Sequence, residues 1–191
     1  MATKKRKRKL KSDEKQYLID LKKKPNEDDI RYKEIIKQKL LENDTLIWLL
    51  NNEKLEETEA ENDEYFGENI RPEFIIPETQ TDVQNFLCYE VSFEDTARYN
   101  PAIKYQEIIF YILCHEKNGI VEEIGAARKD LIAGIIIDMF NGSNAFGNEL
   151  KLVSDKPSVT DTRYSTRTLV FEQKTTNSLT RANGTTFNLR K

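Results

Sequence analysis

The side chains best suited to nucleophilic chemistry are two cysteines and one histidine. Cys114 directly precedes His115 in an apolar run, and Cys88 lies in an earlier apolar run. A Cys–His dyad needs the thiol and the imidazole within hydrogen-bond reach. Neighbouring strand residues point to opposite faces, so only Cys88 offers His115 a cross-strand partner, and nothing in the sequence requires that pairing. We interpret His115 as a structural histidine at a strand end and both cysteines as small core residues.

The clustering of the carboxylates indicates that they are solvated and not catalytic. Seven of them crowd one short stretch together with a single lysine: Glu53, Glu56, Glu57, Glu59, Glu61, Asp63 and Glu64. The sequence has no Walker loop, no Rossmann glycine fingerprint and no Gly-x-Ser-x-Gly motif. Two cysteines and one histidine are too few for a Cys/His metal cluster within one chain. We therefore expect no catalytic residue, no metal, no cofactor and no enzyme activity.

Charge is distributed unevenly along the chain. Residues 1–24 hold eleven Lys/Arg and three acids, which gives +8, so a total of −3 leaves −11 for the remaining residues. The basic run consists of Lys4, Lys5, Arg6, Lys7, Arg8 and Lys9. Clustered Lys/Arg release counterions when they bind phosphates, so this run fits a nucleic-acid contact. The alternative is a solvated arm that contributes only solubility.

Four stretches predict β-strands. Phe86–Glu94 alternates apolar and polar residues in the manner of a strand. Ile103–His115 carries apolar residues on both faces, which is typical of a central strand covered on both sides. Leu150–Val153 is a short strand, and Arg163–Gln173 is rich in β-formers. An Asn-Gly pair at 183–184 predicts a C-terminal hairpin, with a simple arm as the alternative.

Helical periodicity is weak over Lys11–Leu21 and clearer in three later stretches. The first follows Asn26 as its expected N-cap, with Asp28 and Asp29 in the first turn and apolar positions from Tyr32 to Leu41. The others are Thr45–Leu50, with Asp44 as its expected cap, and Ile124–Phe140. The last helix is the clearest, with its apolar face formed by Ile124, Ala127, Leu131, Ile132, Ile135, Ile136 and Met139. We expect Arg128, Lys129 and Asp138 to lie largely outside that face.

Two groups of residues are candidates for a protein interface. Leu46, Ile47 and Trp48 belong to a run of five large apolar residues that will not stay in water. They cover the chain's own core or anchor a neighbouring chain, where aromatic residues carry much of the binding energy. Arg163 and Arg167 lie on one face of a predicted strand, which is either a plain polar face or a charged ring surface.

The chain divides into five predicted segments. They are a basic N-terminal arm (1–24), a helical segment (25–51), an acidic linker or loop (52–64), a core domain of mixed helices and strands (65–174), and a C-terminal hairpin or arm (175–191). No apolar run approaches the roughly 18 residues of a membrane span, so we expect no membrane association. The low cysteine content is typical of a protein made in a reducing cytoplasm.

Four stretches follow one another as strand, central strand, amphipathic helix, and short then long strand. They are PETQTDVQNFLCYEVSF, KYQEIIFYILCHE, GAARKDLIAGIIIDMFN and LKLVSDKPSVTDTRYSTRTLVFEQ. From about Arg71 to Gln173 the chain thereby resembles phage head–tail joining proteins of the tail-completion or tail-terminator class. Upstream, IRYKEIIKQKLLENDTLIWLL is similar to the leading helices of such neck proteins. The basic arm and the acidic block after Leu50 depart from the family pattern.

The resemblance implies an α+β fold, a small mixed α/β domain with a helix-backed, largely antiparallel sheet. It implies a ring, commonly a hexamer, in the neck of the virion. The ring would bind the tail tube protein and the head-side connector, with genomic DNA passing through its lumen near the basic arms. It carries over no catalytic residue and no cofactor.

Three functions remain open at this stage. The first is a tail-terminator or tail-completion ring, made in the host cytoplasm and carried in the virion neck. The second is a related adaptor or head-closure protein of the neck. The third belongs to another class, a soluble nucleic-acid-binding protein that uses its basic arm.

Overall fold

The computed structural model describes residues 11–21, 28–74, 83–94, 103–161 and 163–176. The basic run Lys4–Lys9 and the predicted turn at 183–184 lie outside the described residues. The described helices are α1 (Ser12–Leu21), α2 (Asp28–Leu41), α3 (Asp44–Leu50), α4 (Glu53–Glu57) and α5 (Arg128–Phe140). The described strands are β1 (Ile70–Arg71), β2 (Phe86–Glu94), β3 (Ile103–His115), β4 (Ile120–Val121), β5 (Ala126–Ala127), β6 (Lys151–Asp161) and β7 (Tyr164–Thr176). None of the described helices is both long and apolar enough to cross a membrane.

The main sheet has five strands in the order β1-β2-β3-β7-β6. Only β1 and β2 run parallel, and the other neighbours are antiparallel. The α+β class with a helix-backed, largely antiparallel sheet is therefore confirmed. The predicted bounds of β2 and β3 are also confirmed, and β3 occupies the central position.

One face of the sheet and three helices enclose the main core. Burial alternates along most of β3, where Ile108, Phe110 and Ile112 are fully buried and the residues between them are half-buried. The buried side chains of α2, α3 and α5 join this face in one hydrophobic cluster. The opposite face has a smaller cluster of Phe86, Cys88, Leu113 and Tyr164. Both faces of β3 therefore carry buried side chains, as its apolar sequence predicted, and among the described residues the helices pack on one of them.

Two strands on one side of the sheet differ from the prediction. β6 runs for eleven residues from Lys151 to Asp161, although only Leu150–Val153 was predicted. Pro157 argued against a longer strand, yet proline is tolerated at an edge, where no neighbour needs its missing N–H. β7 begins at Tyr164, so Arg163 belongs to the turn before it.

α5 begins four residues later than predicted. Gly125 has φ of +70°, a left-handed conformation that stops a helix from extending back to Ile124. The next two residues pair with β4 as the short strand β5. Ile124 is consequently 58% exposed rather than part of the apolar face. Arg128, predicted to lie largely outside that face, is only 7% exposed.

The acidic segment forms helical structure where a linker or loop was predicted. α4 is capped by Asn52, whose side-chain oxygen accepts a hydrogen bond from the Leu55 amide at 3.4 Å. A 3₁₀ helix follows over Asn62–Tyr65. Leu55 packs against the main core, and Tyr65 is buried in it. These two apolar anchors hold the acidic segment on the domain surface, which its acid content alone did not indicate.

Candidate assembly interface

The run Leu46–Leu50 is almost wholly internal, with one exception. Leu46 and Leu50 are fully buried, and Ile47 and Leu49 are nearly so. Leu46 and Ile47 therefore pack in the chain's own core, and their prediction as interface residues is wrong. Trp48 alone points outward and is 47% exposed. Because α3 has only seven residues, four of them buried, the indole is presented from a firmly packed support.

Short hydrogen bonds fix both ends of α3. The Asn43 side chain caps its start by accepting a hydrogen bond from the Leu46 amide at 2.9 Å. The cap is therefore Asn43 and not the predicted Asp44, which is the first residue of the helix. The chain leaves through Asn51, which has φ of +48° and donates its backbone N–H to the Trp48 carbonyl. Asparagine tolerates this left-handed conformation better than most residues. The orientation of Trp48 is therefore set by its helix and by both helix ends.

α3 carries an acidic residue, and an acidic segment lies next to it. Asp44 lies one helical turn before it, on the same face of α3. Asn62 donates hydrogen bonds to the Asp44 carboxylate at 2.9 Å and to the Leu41 carbonyl at 2.8 Å, which places the 3₁₀ helix beside α3. We call Trp48 and the exposed acids of α4 and the 3₁₀ segment the Trp48 acidic surface: Glu53, Glu56, Glu57, Glu59, Glu61, Asp63 and Glu64.

Three buried asparagines lie beneath this surface. Asn52 donates to the Asn69 side-chain oxygen at 2.6 Å, and Asn69 donates to the Asn85 carbonyl at 2.8 Å. Asn85 in turn donates to the Leu50 carbonyl at 3.1 Å and accepts from the His115 amide at 3.0 Å. The chain of bonds ties the end of α3 to β1, β2 and β3. Sequence reasoning missed these residues, and their positions at the ends of apolar runs were the only available signal.

Arg128 provides a second buried support for α3. Its Nη1 donates to the Leu49 carbonyl at 2.9 Å, and its Nε donates to the Asn118 carbonyl at 2.8 Å. Burial lowers the pKa of this guanidinium from its ordinary value. The arginine thus carries its charge into the protein, where it satisfies one carbonyl at the end of α3 and one in the 3₁₀ turn after β3. Helical periodicity did not identify it, because a charged residue is normally assigned to the solvent face.

Arg167 forms an ion cluster instead of a free charged surface. Its Nε and Nη2 donate to the two Asp155 oxygens, each at 2.7 Å, and its Nη1 donates to Asp130 at 2.6 Å. These bonds lower the pKa of Asp155 and raise that of Arg167. The cluster joins β7, β6 and the first turn of α5, while Arg163 lies in the exposed turn. That Arg163 and Arg167 share a charged ring surface stays a prediction.

One family model matches the chain, and it covers residues 43–173. That range includes α3, α4, α5 and nearly the whole five-stranded sheet, and it amounts to more than half of the chain. The chain belongs to the YomW family. The YomW family is phage-derived, which indicates a phage protein. No curated protein sequence matches the chain.

The YomW match begins at Asn43, the cap of α3, and therefore includes Trp48 and its acidic surroundings. It also includes the three asparagines and Arg128. The basic arm, α1 and the whole of α2 lie before it. The matched region is thus the sheet with its packed helices, together with the surface that presents Trp48.

The cysteines and the histidine occupy structural positions in the YomW-matched region. His115 ends β3, packs edge-on against Tyr164, and accepts a hydrogen bond from the Lys117 amide. Cys88 and Cys114 are buried free cysteines. Burial raises the pKa of the Cys114 thiol to about 12, which keeps it protonated. Across the described residues, no group of three or more potential ligands is placed to hold a metal ion.

A shallow cleft of about 360 Å³ lies between the start of α4 and the 3₁₀ turn after β3. Its polar lining includes Asn52, Glu53, Lys54, Lys117 and Asn118. These amide, ammonium and carboxylate groups can bind polar surface, but the lining contains no thiol, hydroxyl or imidazole nucleophile. The cleft borders the Trp48 acidic surface and extends its polar character.

Proposed function

We propose that this phage protein is a structural component of the virion neck. In the proposed role it is a tail-terminator or tail-completion ring that caps the tail tube and joins it to the head-side connector. The observation that carries the proposal is Trp48, a large aromatic residue held half-exposed by a helix whose other apolar residues are buried. Aromatic residues in such positions are typical anchors of protein–protein contacts.

The proposed mechanism is geometric and uses no catalytic residue, no metal and no cofactor. Each subunit contacts the next through two different surfaces, and such heterologous contacts close when the rotation per subunit completes a ring. We expect a hexamer. A closed ring ends the growth of the tail tube on one side and presents a fixed surface to the connector on the other. The protein would be made in the host cytoplasm and carried in the virion.

The outer strand of the sheet bears on how such subunits pair. β6 is a long edge strand, and its register with β7 shifts between Leu152 and Ser154 and again between Val159 and Asp161. It also contains Pro157, and bulges with proline are devices that discourage strand pairing at an edge. The proposal therefore places subunit contacts on side-chain surfaces such as that of Trp48 rather than on an extended strand pair through β6.

An adaptor or head-closure protein of the neck is the nearest alternative. It would share the ring and the protein contacts but would act on the head side, without controlling tail length. A soluble nucleic-acid-binding protein is the alternative from another class, favoured by the +8 charge of residues 1–24. Its affinity for duplex DNA would fall steeply with added salt.

Imaging the purified full-length protein by negative stain, with native mass measurement, tests the proposal. Ring particles of a single subunit number in the absence of DNA support either neck function. A monomer that binds duplex DNA with strong salt dependence, and forms no ring at any protein concentration, supports the nucleic-acid-binding alternative and contradicts the proposal.

A further inference from the structure

α1 presents apolar side chains to solvent. Leu18 and Ile19 are 48% and 43% exposed, although they lie within a helix of ten residues. Neither hydrophobic cluster of the described residues includes a residue of α1. A helix that contributes no residue to a hydrophobic cluster gains little stability from packing and is marginal at this length. The helix therefore has an apolar face suited to a partner.

Strong positive charge flanks that apolar face in the sequence. Six Lys/Arg precede α1 at positions 4–9, and three lysines follow it at positions 22–24. α1 itself carries one lysine and three acids, so the positive charge lies in the chain on either side of it. An exposed apolar segment between two basic segments fits a partner that combines negative charge with an accessible apolar anchor. A candidate partner surface must therefore have both negative charge and an exposed apolar residue.

The Trp48 acidic surface has this property. Residues 53–64 contain seven acids against Lys54, a net charge of −6, compared with +8 for residues 1–24. The seven acids are all exposed. Asp44, on the Trp48 face of α3, accepts a hydrogen bond from Asn62 of the 3₁₀ helix that carries Asp63 and Glu64. Trp48 is 47% exposed, so an apolar side chain lies on the helix that contacts this acidic segment. In the single chain Leu18 and Ile19 of α1 and Trp48 are all about half-exposed.

We infer that α1 and its flanking lysines dock on the Trp48 acidic surface of a second copy of this chain. The contact joins two different surfaces of identical subunits, and this is the heterologous type that propagates around a ring. The inference rests on the proposed neck ring, for which it supplies the contact between neighbours. Charge attraction guides the arm, and Leu18 and Ile19 pack against the indole.

Charge reversal on each side, followed by recombination, tests the contact. One full-length variant carries Lys22→Glu, Lys23→Glu and Lys24→Glu in the arm. A second carries Glu57→Lys, Glu61→Lys and Glu64→Lys in the surface. A third carries all six changes. The measured quantity is the protein concentration at which half of the subunits are associated. We expect this concentration to rise about tenfold or more in each of the first two variants, and to return most of the way to the wild-type value in the third.

Apolar variants test the same contact independently of charge. Leu18→Asp is expected to weaken association about as much as charge reversal does. Its matched control is Ile124→Asp, at a residue 58% exposed and outside both surfaces, which is expected to leave association unchanged. Trp48 is the only tryptophan, so its fluorescence emission reports the contact directly. The emission should shift to the blue on association of the wild type and not with Leu18→Asp.

The outcomes separate this inference from the proposed function. Rings that form equally well in every variant overturn the arm contact and leave the neck proposal standing. A full-length protein that stays monomeric, with Trp48 emission altered by Leu18→Asp, shows docking within one chain and overturns the contact between copies. Association that requires added duplex DNA assigns the arm to nucleic acid and also overturns it. Recovery in the six-fold variant supports the inference.

Discussion

The Nη1 of Arg128 lies 2.9 Å from the carbonyl oxygen of Leu49 and donates a hydrogen bond to it. This bond joins the first residue of α5 to the helix that presents Trp48. Together with the Asn85 bond to the Leu50 carbonyl, it fixes the end of α3 from two sides. The surface proposed for assembly is therefore supported by buried polar groups from distant parts of the sequence.

Replacing Arg128 should destabilise the fold through α3. Arg128→Ala leaves the Leu49 and Asn118 carbonyls without their donor, and a buried group that loses its partner costs about 1–3 kcal/mol. Urea denaturation measures the change in the free energy of unfolding. Glu122→Ala, at an exposed position in the preceding turn, is the control and should stay within about 0.5 kcal/mol of wild type. An equal midpoint for both variants would contradict the assigned role.

The core face of α5 gives a prediction about packing. Ile132 is fully buried in the main cluster, so Ile132→Ala should cost roughly 2–5 kcal/mol in the free energy of unfolding. Ile124→Ala changes a residue outside the helix that is 58% exposed, and it should have little effect. Thermal and urea unfolding of the two variants check this difference. Similar losses from both would mean that the buried face of the helix was misassigned.

Acid should selectively weaken the contribution of Asp155. Arg167 lowers the pKa of Asp155 in the folded state, below the value of about 3.9 for an unfolded aspartate. The stabilisation is then present above the unfolded pKa and is lost as pH falls through the folded pKa. The deficit of Asp155→Asn relative to wild type should therefore be largest near neutral pH and shrink below about pH 4.

Urea midpoints of Asp155→Asn across that pH range provide the measurement. Asp138→Asn, at an exposed position of α5, makes the same change in net charge and serves as the matched control. A deficit for Asp155→Asn that stays constant from neutral to acid pH would show that the ion cluster with Arg167 contributes no stability.

Trp48 and Leu46 should respond differently to truncation, although they lie two residues apart. Leu46 is fully buried, so Leu46→Ala should lower the free energy of unfolding by roughly 2–5 kcal/mol. Trp48→Ala should affect unfolding much less and should weaken assembly by about 2 kcal/mol or more, as expected of an interface anchor. Unfolding curves and sedimentation of both variants give the comparison. A Trp48→Ala protein that assembles normally would remove Trp48 from the interface.

Strands were predictable from the sequence where a run of apolar residues marks a buried strand. β3 is a run of β-branched and aromatic residues, and its bounds at Ile103 and His115 follow from that run alone. The length of β6 was not predictable, because Pro157 is compatible with a strand only at an edge, and the sequence does not reveal strand order. The start of α5 was misplaced because apolar periodicity continues through Ile124, while the backbone turns at Gly125.

The candidate interface was predictable only in part. Five apolar residues in a row indicated a buried helix, but their burial pattern depends on packing between distant segments, so the sequence could not single out Trp48. The buried roles of Arg128 and Asn85 depend on carbonyls at the end of α3 that are distant in sequence. The cluster of Arg167 with Asp130 and Asp155 likewise joins three elements that the sequence separates.

Electron microscopy of phage particles that lack this protein tests the central claim most directly. The neck proposal predicts that DNA-filled heads and separate tails both accumulate, and tails of abnormal length identify the protein as the terminator. Tails of normal length that fail to attach favour the adaptor or head-closure alternative. Restoring the protein should restore joined particles. Fully joined, infectious particles formed in its absence would contradict both neck functions.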